Sequence, residues 1–289
     1  MSSALATRHL VLRPGMPVLA RSVGVLQVGL DAPTVLLSDE PGVRQLLDAL
    51  GRPGGVLPGD ELVPSAAAAL RALLDAGLVL DVGSGPAADA PLVALRAQFG
   101  PDAVRRQAAR VAATVAVRAD PAAWPPLDAA LSAAGLRVAT GQDEPAVHLV
   151  VAAGPVARES VDPLTRASLP HLVVSGAATG RRVGPFVEPG RTACLRCVDA
   201  HESLADPRRP LLLAQSAALA AERPPPCDPV LDQMAFAWAA RDLARYLEGD
   251  EPATWSATAD IGPASGPVLT PWGRHPYCGC SWDALIELP

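Results

Sequence analysis

Residues 183–197, VGPFVEPGRTACLRC, decide how this chain is read. The stretch ends in a C-x-x-C pair, Cys194 and Cys197, and a second pair, Cys278 and Cys280, closes RHPYCGC at 274–280. Four of the five cysteines are spent this way. Thiolates hold zinc tetrahedrally, and a structural site usually takes four protein ligands. The pattern therefore points to one zinc on Cys194, Cys197, Cys278 and Cys280, stapling the end of the sequence to its middle. Four protein ligands leave no open position, so such a zinc is structural. Redox C-x-x-C chemistry and disulfides are the alternatives. The redox reading is the poorer one, because Cys194 follows Pro-Gly-Arg-Thr-Ala and not a strand entering a βαβ unit.

At 289 residues the chain has room for two domains with separate cores. Hydrophobic residues make up 49%, mostly Ala, Leu and Val, as in globular proteins. All 24 basic residues are arginine. Without lysine, a phosphate-loop lysine, a Schiff base and a Ser-Lys dyad are excluded. The net charge of -6 argues against broad nucleic-acid binding, which needs a basic face. No run of about 18 apolar residues predicts a membrane span. The first residues, MSSALATRHLVLRPG, lack the basic-then-apolar order of a signal peptide. Together with free cysteine pairs, this gives a cytoplasmic expectation.

Residues 9–82 read as a small α+β unit. Strands are expected at 9–12, 25–30 and 34–38 from alternation and β-branched content. Pro41 opens a helix as a first-turn proline, with Asp39 as a candidate N-cap; Val43, Leu46, Leu47 and Leu50 mark its inner face and Gly51 its end. A short second helix is expected at 60–63. A third spans 64–76, with Leu70, Leu73 and Leu74 as its apolar face, and a strand returns at 78–82. Strands, three helices and a closing wing make a winged helix-turn-helix, assigned to residues 1–85. Its last helix carries one arginine, Arg71, and is too poor in polar side chains to read DNA. Peptide binding fits better: an extended segment adds beside residues 34–38, with Val35, Leu36, Leu37 and Arg71 as candidate contacts.

Residues 83–91, GSGPAADAP, read as a linker. Beyond it, 92–289 alternates helices and strands, with HLVVA at 148–152 and HLVVS at 171–175 as the strongest strands, which implies a parallel sheet. His148 and His171 open those strands, in capping or packing roles. A helix is expected at 211–222. Another spans 230–247, with Met234, Trp238 and Leu243 inward. A strand pair at 254–261 and 266–270 leads to the last cysteines.

These motifs in this order, VGPFVEPGRTACLRC, RPPPCDPVLDQMAFAWAARDLARYLEG and RHPYCGC, resemble the ubiquitin-activating-enzyme superfamily, the ThiF- and MoeB-like adenylyltransferases. The resemblance covers about the last two thirds of the chain. It implies a Rossmann-type α/β domain that binds ATP at a glycine-rich turn after its first strand, helped by a lysine. Here that turn would be VAVRADPAAW at 115–124, which has no glycine and runs into Pro125-Pro126. The nucleotide site therefore reads as degenerate.

A peptide-recognition unit ahead of a degenerate ThiF-like domain resembles the leader-binding partner proteins of azole/azoline cyclodehydratases. That likeness implies a non-catalytic adaptor with a structural zinc. It would bind the leader of a ribosomally made precursor peptide and present it to a separate YcaO protein, which forms thiazolines or oxazolines with ATP. A homodimer is a further expectation. The rival reading is an active adenylyl or sulfur transferase using Cys227 as nucleophile, since some relatives carry a reactive cysteine at this crossover.

Overall fold

The computed structural model describes residues 9–52, 54–57, 61–83, 89–177, 179–263 and 266–280. The chain divides into two compact units, Met1–Ala108 and Ala109–Pro289. Most of the expected linker, 84–88, lies outside the described residues. No helix among the described residues is long and apolar enough to cross a membrane.

In the first unit, β1 (Leu10–Leu12) pairs antiparallel with β5 (Val79–Asp81). Strands β2 (Val18–Ser22), β3 (Val25–Val28) and β4 (Val35–Ser38) form an antiparallel sheet in the order β2-β3-β4. β2 was not expected: all five of its residues are exposed, so no alternation marks it.

Helix α1 (Pro41–Leu50) buries Val43, Leu46, Leu47 and Leu50 and ends at Gly51, matching its periodicity. Its N-cap is Glu40 and not Asp39, whose carboxylate is drawn instead to Arg44. Helix α2 (Pro64–Asp75) buries Ala66, Ala69 and Leu73, whereas Leu74 is exposed. The inner stripe runs through alanines, which allow close packing and are invisible to a search for large apolar residues. The short helix expected at 60–63 is absent at 61–63, and Asp60 lies outside the described residues. Pro64 explains this: the residue before a proline is pushed out of helical conformation, and Val63 sits at φ -62°, ψ 152°. Helix α3 (Ala90–Phe99) follows, and α4 (Ala103–Ala112) runs through the division between the units.

The second unit is built on a seven-stranded sheet. In chain order its elements are β6 (Thr114–Arg118), α5 (Trp124–Ala133), β7 (Arg137–Val138), β8 (Val147–Val151), α6 (Asp162–Arg166), β9 (His171–Ala177), β10 (Gly180–Val187), α7 (Leu195–Glu202), α8 (Arg209–Glu222), α9 (Pro229–Leu247), β11 (Ala257–Ile261) and β12 (Val268–Pro271). The strand order is β12-β11-β10-β9-β8-β6-β7. β7, β6, β8 and β9 are parallel, as expected. The sheet as a whole is mixed, because β10, β11 and β12 are antiparallel additions. The short connection from Ala177 to Gly180 leaves room only for a hairpin, since a parallel pairing needs a crossover.

Both faces of the parallel part are covered, which is why HLVV reads as an unbroken apolar run. Leu149, Val151, Leu172 and Val174 face one core with α5 and α9. Val150 and Val173 face the other, with Leu195 of α7. On α9, Leu243 is fully buried and Trp238 packs against the core. Met234, expected inward, is 41% exposed; Ala235, Phe236, Ala239 and Ala240 supply the inner stripe instead.

Candidate functional site

The cysteine cluster is built by two turns. After β10, the amides of Arg191 and Thr192 both donate to the Glu188 carbonyl, closing the Pro189-Gly190 turn. The Ala193 amide donates to Ser256 Oγ, and Cys194 caps α7 so that Cys197 follows one turn later. The second pair arrives from β12. Trp272 Nε1 donates to Thr258 Oγ1 (3.0 Å), and His201 Nε2 lies 2.9 Å from the Gly273 carbonyl.

The four sulfurs lie within 4.8 Å of one another. Cys194 Sγ is 3.4 Å from Cys278 Sγ, and Cys197 Sγ is 3.3 Å from Cys280 Sγ. A tetrahedron of Zn–S bonds near 2.3 Å has edges of about 3.8 Å, so a small outward relaxation fits the quartet to a metal. The His275 amide donates to Cys197 Sγ at 3.3 Å, as suits a sulfur carrying negative charge. The four cysteines could therefore hold one metal ion.

A second site lies at the carboxyl ends of the parallel strands. β6 connects outward to β7 and β8 lies on its other side, so the strand order reverses between β6 and β8. In open α/β sheets, ligands bind at such a switch point. A cavity of about 280 Å³ is found there, with Arg118, Asp120, Ala153, Gly154 and Ala220 among its lining residues. Phosphate binding at this place normally relies on free backbone N–H groups at a helix N-terminus. The first turn of α5 contains Pro125 and Pro126, which have no N–H. Asp120 adds a carboxylate, whose Oδ2 accepts from the Ala153 amide at 3.4 Å. α8 also closes down on the cavity: a Cβ on Gly154 would lie 2.4 Å from Ala220 Cβ.

Cys227 lies near this mouth. Its Sγ is 3.4 Å from the Pro225 carbonyl and 3.8 Å from that of Ala153. Burial pushes the thiol up from its ordinary value, with Asp232 and Asp120 adding to the rise and Arg181 opposing it. Arg181 is itself buried, paired with Asp232 and donating to the carbonyls of Ala152 and Ala153. Sequence reading missed Arg181; the Arg181-Arg182 pair opening the strand β10 was the available signal.

In the first unit, β4 is paired on one side only, with β3, among the described residues. Val35 is half-buried, Leu37 buried and Leu36 54% exposed, so Val35 and Leu37 turn to the core and Leu36 to the opposite side. Arg71 is exposed on α2.

No family model matches the chain, and no curated protein does. Solved structures match over nearly all of it. A heterocyclase in complex with substrate and cofactor superposes with a TM-score of 0.69 at 14% identity, covering 95% of this chain and 40% of that one. The heterocyclase TruD gives 0.69 at 18%, covering 95% and 43%. The fold is that of the heterocyclases. Escherichia coli MccB with succinimide has it too, with a TM-score of 0.60 at 13% identity, covering 95% of this chain and 99% of MccB. This chain thus spans about two fifths of the length of the two heterocyclases. The ThiF- and MoeB-like fold implied by its motifs is the fold it adopts.

Proposed function

We propose that this chain is a non-catalytic adaptor of azoline biosynthesis. Residues 1–85, as a winged-helix unit, bind the leader of a ribosomally made precursor peptide. Residues 92–289 are a ThiF-like scaffold in which Cys194, Cys197, Cys278 and Cys280 hold a structural zinc. A separate YcaO cyclodehydratase receives the presented peptide. The observation that carries the reading is the outer edge of β4, which no strand pairs among the described residues. An extended peptide satisfies the N–H and C=O groups of such an edge by joining as the next strand. The likeness in fold to a heterocyclase captured with its substrate and cofactor accords with this reading. Loss of the phosphate cradle at α5 supports the non-catalytic part of the reading.

The rival reading, a transferase using Cys227, rests on that thiol's place near the switch point. Burial keeps it protonated, which works against nucleophilic attack. The deciding experiment titrates a labelled leader peptide, taken from a precursor gene beside this one, into the full chain. Binding in the micromolar range, about -8 kcal/mol, is expected. A folded, zinc-loaded chain that ignores the leader and binds duplex DNA would end the adaptor reading.

A further inference from the structure

A second cavity in this unit has no part in the function proposed above. It encloses about 310 Å³ on the α7 face of the sheet, beside the ends of β9 and β11. Val173, Leu195, Leu213 and Ile261 are its apolar walls. A hollow of this size falls at the small end of ligand sites, which combine apolar walls with a few placed polar groups.

The polar groups here form one row of alternating charge. Asp260 of β11 accepts two hydrogen bonds from Arg182 of β10, at 2.6 and 3.0 Å. Arg182 Nη1 donates to Glu202 Oε1 of α7 at 2.8 Å, and the other Glu202 oxygen accepts from Arg209 Nε of α8. All three nitrogens of Arg182 are thereby engaged. So are those of Arg158, two on Asp199 and one on the Val156 carbonyl. Arg181, also in the lining, pairs with Asp232. Arg209 differs. Its two Nη groups make no hydrogen bond among the described residues, and its side chain is 41% exposed. Glu202, itself only 13% exposed, holds Arg209 by Nε alone and leaves the terminal N–H groups to offer. A carboxylate matches such a fork with two parallel hydrogen bonds. Because Glu202 already holds the guanidinium, less freedom is lost on binding. α8 also starts at Arg209 with no side-chain cap, and its dipole adds to the preference for negative charge.

We infer that this cavity binds a small amphipathic carboxylate. The acid group of the ligand sits on Arg209, and its apolar body lies against Val173, Leu195, Leu213 and Ile261. Arg209 is the binding residue, and Glu202 positions it. The class follows from what is left open. One cation has donors to spare, while Arg158, Arg181 and Arg182 are each paired with a carboxylate of this chain. A purely inorganic anion would use the fork but gain nothing from the walls.

The test titrates phenylacetate into the full zinc-loaded chain, followed by calorimetry and by ligand-observed NMR. Saturable binding at one site is expected, with a Kd below about 1 mM. Phenylacetamide keeps the shape without the charge and should bind at least tenfold more weakly. Arg209→Gln should cause a loss of similar size, and Leu213→Trp, which fills the cavity, should abolish binding. Circular dichroism checks that both variants are folded, and the acid–amide comparison needs no variant. Three results would each overturn the proposal: no saturable binding of phenylacetate at millimolar concentration, an amide that binds as well as the acid, or inorganic phosphate that binds as tightly as phenylacetate. Unchanged affinity in folded Leu213→Trp would overturn it too, by placing the ligand outside this cavity.

Discussion

Cys278 and His171 are single residues at which the stability of the second unit can be tested. Loss of one ligand from a four-thiolate site removes binding free energy that is also folding free energy. We expect Cys278→Ser to lower metal content from about one zinc per chain and to lower the melting temperature. Metal-free protein with an unchanged melting curve would refute the zinc assignment. His171 is 1% exposed, with Nδ1 2.9 Å from the Leu169 carbonyl, and stands in register beside His148 on the neighbouring strand. Burial holds both imidazoles below their ordinary value. The unfolded chain therefore binds more protons than the folded one just below pH 6.5, so stability falls as pH drops through that value. The melting temperature should decline from pH 7.5 toward pH 5, and His171→Gln should flatten the decline. An equally steep profile in the variant would show that other groups set it.

At the scale of elements, two contacts decide whether strands are held or offered. Asp242 on α9 is fully buried and accepts from the amides of Ala253 and Thr254 and from Thr254 Oγ1, at 2.9, 2.9 and 2.6 Å. Thr254 in turn accepts from the Phe186 amide of β10 (2.9 Å). The carboxylate thus ties the helix to the strand that leads into the first cysteine pair. Asp242→Ala would strand three donors, two of them backbone, and should cost roughly 3 kcal/mol in chemical denaturation. A loss below about 1 kcal/mol would mean that water replaces the carboxylate. β4 is the opposite case, a strand with one edge to spare. Proline at Leu36 removes one backbone donor, and Leu36→Pro should weaken leader binding if that edge is used. Unchanged affinity in a folded variant would move the peptide elsewhere.

For the whole molecule, the α5 prolines and Asp120 at the switch point motivate a prediction about ATP. We expect no ATP–pyrophosphate exchange by the purified chain, with or without peptide. Robust exchange would refute this and return Cys227 to consideration as a nucleophile. The fold shared with the heterocyclases surrounds a switch point at which the first turn of α5 carries two prolines.

Local rules were enough wherever one residue type dictates one conformation or pattern. Spacing alone paired the cysteines, and HLVV marked two strands buried on both faces. Proline and glycine bounded α1, and the lack of glycine at 115–124 was legible directly. What escaped needed partners distant in sequence. β2 exists because β3 hydrogen-bonds to it, not because its side chains are buried. The inner stripe of α2 is alanine because the packing is close. Asp39 left its capping role for Arg44, and the antiparallel half of the sheet followed from a short hairpin connection. Which of Val35, Leu36 and Leu37 faces inward was open in the sequence, because alternation fixes a period but not its phase; the core under β4 fixed it at Val35 and Leu37.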